Sequence, residues 1–144
     1  MKYFIDCEFD GYKGALISMA LVREDGEYRY WVLPEAIIKE AWVIENVIPI
    51  LHYGDPSFIL SESDLSREIA RFLKNDNDIH ILADWPDDIK YFCDVIVFGP
   101  GQCRNLKKVN FEFDRAYGDY DSLVPHNAYY DALAPTVTGT IPVT

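Results

Sequence analysis

The run Lys2 to Glu8 (KYFIDCE) is rich in aromatic and β-branched residues and is followed by Asp10-Gly11, a turn signal, so the pattern predicts a first strand. Gly14 to Val22 (GALISMALV) predicts a second strand. After Asp25-Gly26 the alternating run Glu27 to Leu33 predicts a third, and the three together form a β-meander. Beyond Pro34 the spacing changes. Ile37, Ile38, Ala41, Trp42, Ile44 and Glu45 fall at helical intervals, which predicts a helix over 35–51 whose end is set by Pro49. Ser61 to Lys74 is a second helix, with serine caps, an acidic first turn and a stripe of Leu65, Ile69, Phe72 and Leu73. Ile79 to Ala83 predicts a buried strand, followed by a helix from about Asp87 to Phe98 that Gly99-Pro100-Gly101 stops. Leu106 to Phe113 predicts another strand, Ala116 to Val124 a polar, tyrosine-rich loop, and Pro125 to Ala134 a short helix ended by Pro135. This order is that of an α/β protein with a mixed central β-sheet flanked by helices.

A chain of 144 residues, 49% of them hydrophobic, is long enough for one core, and we expect a single domain over 1–134. The uncharged remainder, 135–144 (PTVTGTIPVT), is expected to be loosely attached. No run approaches the roughly 20 apolar residues of a membrane span, so no membrane partner is expected. Lys2, Asp6 and Glu8 interrupt the start of the chain, which excludes a secretory apolar region and leads to the expectation of a cytoplasmic protein. Three cysteines, Cys7, Cys93 and Cys103, without C-x-x-C spacing argue against a disulfide framework or a thiolate zinc site.

Thirteen Lys and Arg stand against 24 Asp and Glu, a net charge of -11, which disfavours non-specific coating of nucleic acid. It does not disfavour a nucleic-acid enzyme, because carboxylates that hold cations count as negative in a sequence and are neutralised in a working site. Strand alternation places Asp6 and Glu8 on one face near the end of the first strand, where α/β sheets carry their ligand crevice. Like charges ~4 Å apart repel by ~4 kcal/mol at an effective dielectric near 20, and a cation relieves that repulsion. The bland alternative is an edge strand with both acids in solvent. Asp84, Asp87 and Asp88 again lie where a strand passes into a helix, and there the bland alternative is capping of the helix start. His126 stands ahead of the last helix with Asp131 five residues later. Each of the three clusters sits at an element end, and each supplies oxygen ligands suited to Mg²⁺ or Mn²⁺.

Asp6-Cys7-Glu8, then Asp84 to Asp88, then His126-Asn-Ala-Tyr-Tyr-Asp131-Ala resemble motifs I, II and III of the DEDDh, or DnaQ-like, 3′–5′ exonucleases, and most of all the small ribonuclease T-like 3′–5′ exoribonuclease domain known from mycobacteria. The resemblance runs from Lys2 to about Ala134 and implies a ribonuclease H-like fold. It makes Asp6, Glu8, Asp88 and Asp131 the ligands of two Mg²⁺ or Mn²⁺ ions, with Asp6 bridging, and His126 the general base. In motif II the family's spacing selects Asp88, with Asp84, which stands where the family usually has Asn, as the reserve. Phe9, Tyr12, Trp85 and Asp84 flank the acids and are candidates for substrate contact, the aromatic rings by stacking on terminal bases. Arg104, Lys107, Lys108 and Arg115 gather four of the 13 basic residues in a twelve-residue stretch, and with Lys90 they are candidates for phosphate contact. The implied activity is 3′–5′ hydrolysis of single-stranded RNA, or of 3′ overhangs, to nucleoside 5′-monophosphates, by a chain that can be a homodimer. Two alternatives stand beside it. One is a 3′–5′ DNA exonuclease, since no pattern here reads a 2′-hydroxyl. The other is a non-catalytic acidic module that mimics nucleic acid or docks a partner.

Overall fold

The computed structural model describes residues 1–54, 56 and 58–137. Strands β1 (Lys2–Phe9), β2 (Leu16–Arg23) and β3 (Tyr28–Val32) form the expected antiparallel meander, with a bulge where Glu8/Phe9 meets Ser18/Leu16. Helix α1 (Ala41–Asn46) and a 3₁₀ turn (Ile48–Ile50) lead to a two-residue edge strand β4 (Phe58–Ile59), and then to α2 (Glu62–Leu73). Strand β5 (Ile79–Ala83) pairs parallel with β1, and α3 (Pro86–Ile96) follows it. A small hairpin, β6 (Val97–Gly99) and β7 (Gln102–Cys103), precedes β8 (Val109–Phe113), a 3₁₀ turn (Arg115–Asp119) and α4 (Ala128–Val137). The main sheet has the order β4-β3-β2-β1-β5-β8, with β1/β5, β5/β8 and β3/β4 parallel. The chain is therefore α/β, with a mixed six-stranded sheet.

Alternation along the central strands builds two cores, one on each face of the sheet. Tyr3, Ile5, Met19, Leu21 and Trp31 pack with Leu65, Ile69 and Leu73 of α2 and Phe92 of α3. Ala20, Val22, Tyr30 and Val32 pack with Val43 of α1 and Ala128 and Ala132 of α4 on the other side. No helix among the described residues is long and apolar enough to cross a membrane.

Three expectations need correction. The helix predicted over 35–51 shrinks to Ala41–Asn46 because the buried carboxylate of Asp10 accepts the backbone N–H groups of Lys39 (2.8 Å) and Glu40 (3.0 Å). A helix starting at Glu35 would have sent those two donors to the carbonyls of residues 35 and 36. Pro135 does not end the last helix, which runs through it to Val137 and crosses the boundary expected at residue 134. Proline removes one N–H, and in the last turn that costs a single hydrogen bond while its fixed φ stays helical. Of the tail expected over 135–144, residues 138–144 lie outside the described residues. Finally, α3 ends at Ile96 rather than Phe98, and Gly99-Pro100-Gly101 is the turn of the β6–β7 hairpin, with Gly101 at φ +66°.

Candidate metal centre

The β1–β5 register builds the site. Phe4 lies across from Leu82 in the parallel ladder, so continuing both strands brings Asp84 beside Asp6. Asp6 and Glu8 point to the α4 side of the sheet, while Cys7 between them enters the opposite core. Pro86 at the start of α3 turns the chain so that Asp88 comes back under β1, where its Oδ1 accepts the Cys7 N–H at 3.1 Å. On the other side Asn127 anchors α4: its Oδ1 accepts the N–H groups of Tyr129 (3.1 Å) and Tyr130 (3.3 Å), and its Nδ2 donates to the Ile50 carbonyl (2.9 Å). That anchor sets Asp131 over β1.

Five carboxylates consequently converge. One oxygen each from Asp6, Glu8 and Asp131 lie within 4.8 Å of one another, and so do one each from Asp6, Asp84 and Asp88. Asp6 is common to both groups. Asp88 is only 2% exposed, and its Oδ2, like Oδ2 of Asp6, is buried with no hydrogen-bond partner. Burial and then the neighbouring acids push Asp6 and Asp88 well above the usual carboxylate range, and the same causes raise Glu8 to about 9. Burial also raises Asp84 and Asp131, opposed at Asp84 by the Arg115 guanidinium and at Asp131 by hydrogen bonds and His126. A buried acceptor without a donor costs roughly 1–3 kcal/mol, and two of them among five acids form a set of hard oxygen donors that a divalent cation such as Mg²⁺ or Mn²⁺ would satisfy. The site adjoins a cavity of about 360 Å³ whose wall includes Asp6, Asp84, Tyr117, Tyr120, His126 and Asp131.

His126 lies at the rim, exposed, with its backbone N–H donated to Oδ2 of Asp131 at 3.0 Å. Its φ of +70° is left-handed, a region non-glycine residues rarely enter and His enters several-fold more often than most. The ring meets Trp42 edge-on, with centroids 5.0 Å apart. The sequence carries no signal for Trp42 as a partner of His126, since there it is only one of the residues at helical intervals over 35–51. Gly118 was missed as well: a Cβ there would stand 2.7 Å from Oδ2 of Asp84, so glycine lets the 3₁₀ turn close over that acid. Asp10 is a third, since its latch on Lys39 and Glu40 leads directly into α1 and Trp42.

The aromatic candidates separate. Phe9 is packed on Tyr91, with centroids 4.8 Å apart, and belongs to the core. Tyr12 is 84% exposed in the β1–β2 turn. Trp85 is half-exposed, donates its indole N–H to Asp87 (3.0 Å), and carries the Arg115 guanidinium 4.9 Å above its ring. The basic residues do not gather. Arg104 donates to Ser66 and lies over Phe98, Lys108 faces Asp78, and Lys90 pairs with Asp94, which leaves Arg115 as the one of these beside the acids. Burial and the adjacent acids push the Cys7 thiol up, which removes it as a nucleophile. No family model and no curated protein matches this chain.

Proposed function

We propose that the protein is a metal-dependent 3′–5′ exoribonuclease with a ribonuclease H-like sheet, acting on single-stranded RNA or 3′ overhangs and releasing nucleoside 5′-monophosphates. The observation that carries this reading is the sharing of Asp6 between two carboxylate groups, which suits a pair of cations with one bridging ligand. The sheet supports it too: an antiparallel meander extended past β1 by parallel β5 and β8 is the arrangement a ribonuclease H-like fold requires. The RNA preference comes from the resemblance of the three acidic motifs.

Asp6, Glu8, Asp131 and Asp88 would hold the ions, with Asp84 beside Asp88. Bound divalent cations supply Lewis-acid activation of a water and charge stabilisation at the leaving 3′-oxygen. The protein's own part is placement and proton transfer. His126 accepts the proton of the attacking water, and Trp42 and the Asp131 hydrogen bond to its backbone fix where that imidazole stands. Trp85 offers a ring on which a terminal base can stack, and the Arg115 guanidinium a phosphate contact. Burial of Asp6, Glu8 and Asp88 argues against the mimic reading, which needs its acids on display.

The test is 5′-labelled single-stranded RNA incubated with Mg²⁺, Mn²⁺ or EDTA, beside DNA of the same sequence. A ladder that shortens from the 3′ end, faster on RNA and absent in EDTA, is the expected result. Faster DNA trimming would move the assignment to a DNA exonuclease, and no cleavage of either would end the catalytic reading.

A further inference from the structure

Helix α1 is six residues long, and so short a helix does not hold by its own propensity, so its placement is decided by what grips it from outside. Two anchors do this. Val43 is buried in the core shared with α4. At the helix start the N–H groups of Lys39 and of the N-cap Glu40 are taken by the two carboxylate oxygens of Asp10, 2.8 and 3.0 Å away. No side chain caps the helix locally and no acid stands in its first turn, so the hold on this end comes from the end of β1. The approach there is close. Gly11 has φ +71°, and a Cβ on it would stand 2.9 Å from Cγ of Glu40. Asp10 is not one of the acids that gather round Asp6, and it differs from them in kind: it is buried, and both of its oxygens have donors.

A short rod held at one point pivots, and held at two it has a direction. Trp42 lies between the two anchors and is 54% exposed, so burial does not fix its ring; the direction of α1 does. That ring meets the imidazole of His126 edge-on. The imidazole has little else to hold it. His126 is exposed, Asp131 accepts its backbone N–H only, and among the described residues no hydrogen bond reaches its ring. We propose that Asp10 is a positioning residue for His126, acting through Lys39 and Glu40 on the direction of α1 and so on Trp42. The inference rests on the reading of His126 as the general base, and adds that one strand end serves both parts of the site: Asp6 and Glu8 of β1 face the cations, and Asp10, two residues on, places the base. A reacting group displaced by about 1 Å can lose on the order of 10²-fold in rate, so a latch that acts at this distance matters to turnover.

Two variants of the full chain loosen the latch in different ways. Asp10→Asn keeps the size and one acceptor but turns an amide N–H toward a backbone donor, and Gly11→Ala leaves the carboxylate and pushes residue 40 away. The first readout is the ring-proton NMR of the metal-free protein at one fixed pH, which holds three histidines and so few signals. Both variants are expected to keep the parent's circular dichroism and to move the His126 ring protons in the direction seen in Trp42→Ala, as the indole leaves them. The second readout is cleavage of 5′-labelled single-stranded RNA with Mn²⁺. Turnover is expected to fall by roughly 10- to 100-fold with KM within about twofold, and Asp10→Asn is expected to change turnover by less than about twofold once His126→Ala is already present. A residue that serves only the fold would lower turnover by the same factor in both backgrounds. His126 ring protons that stay at the parent's positions in either folded variant overturn the proposal. So does a loss of turnover that repeats in full beside His126→Ala. Ring protons that move as expected in a protein whose parent cleaves no RNA or DNA uphold the placement of the imidazole by Asp10 and overturn the exonuclease reading instead.

Discussion

Acidic residues stand at both ends of the β1–β5 pair, and the two ends treat them oppositely. At the start of the strands Asp76 accepts hydrogen bonds from the N-terminal amine (2.9 Å), the Tyr3 hydroxyl (3.0 Å) and the Asp78 N–H (2.9 Å). Partial burial pushes Asp76 up, but those donors outweigh it and hold the carboxyl below its ordinary range. Asp78 is lowered too, by His80 first and then by Lys108 and Asn110. At the finish of the same strands Asp6, Glu8 and Asp88 face mainly one another, and all are raised. The first group closes its charge inside the fold. The second leaves acids whose ionisation nothing in the fold compensates and two buried oxygens without a donor, as the proposed cation site requires.

Substitution separates the two ends most sharply. Asp6→Asn or Asp88→Asn is expected to lower exonuclease turnover by orders of magnitude. Asp76→Asn is expected to leave turnover near the parent's and to lower stability by about 1.5–3 kcal/mol, the scale of hydrogen bonds to a charged group, checked by chemical denaturation. In metal-free protein the Asp6 change is expected to act with the opposite sign and raise the melting temperature, since it removes like-charge repulsion. An Asp6→Asn protein that melts below the parent in EDTA would break the comparison.

Next in size is His126→Ala. General bases contribute about 10²–10⁴-fold, so turnover is expected to fall by that order while the melting shift caused by Mn²⁺ remains, because the carboxylates are untouched. Loss of the Mn²⁺ shift together with turnover would make His126 part of the cation site.

The pH dependence sharpens the contrast. Glu8, raised from 4.5 to about 9, keeps its proton in the folded state over a range where the unfolded chain has lost it. The folded state binds more protons there, so metal-free stability is greatest at the acid end of that window and falls as pH rises toward 9. Asp76 and Asp78 have lowered values, so their contribution is present above the ordinary aspartate range and is lost on acidification. Melting curves in EDTA are expected to decline from pH 5 to 9, and Mn²⁺ to flatten that decline by competing with protons. The smallest effect is expected at Asp84→Asn, which keeps an oxygen donor: turnover within about tenfold, the scale of one net hydrogen bond.

What could be read from the sequence was what short-range periodicity decides. Alternation placed Asp6 and Glu8 on one face, and the Ser61 cap with the Leu65, Ile69 and Leu73 stripe gave α2 almost to the residue. The convergence of Asp84 on Asp6 depends on the β1–β5 register, a long-range pairing that no local pattern encodes, whereas the preference for Asp88 over Asp84 rests on the motif spacing of the resembled family. The over-long helix at 35–51 failed for a similar reason. Its periodicity was present, but Asp10, about thirty positions away, takes the N–H groups that the helix needed. Tertiary competition for backbone donors also explains why Trp42 reached His126 unannounced.

The most direct test of the cation site is titration calorimetry of Mn²⁺ into the metal-free protein above neutral pH, run in parallel with Asp6→Asn and Asp76→Asn. The account predicts two Mn²⁺ per chain for the parent and for Asp76→Asn, proton release on binding, and loss of at least one site in Asp6→Asn, whose carboxylate is common to both groups. No binding by the parent, or binding in Asp6→Asn indistinguishable from it, would contradict the claim that these five acids form a metal centre.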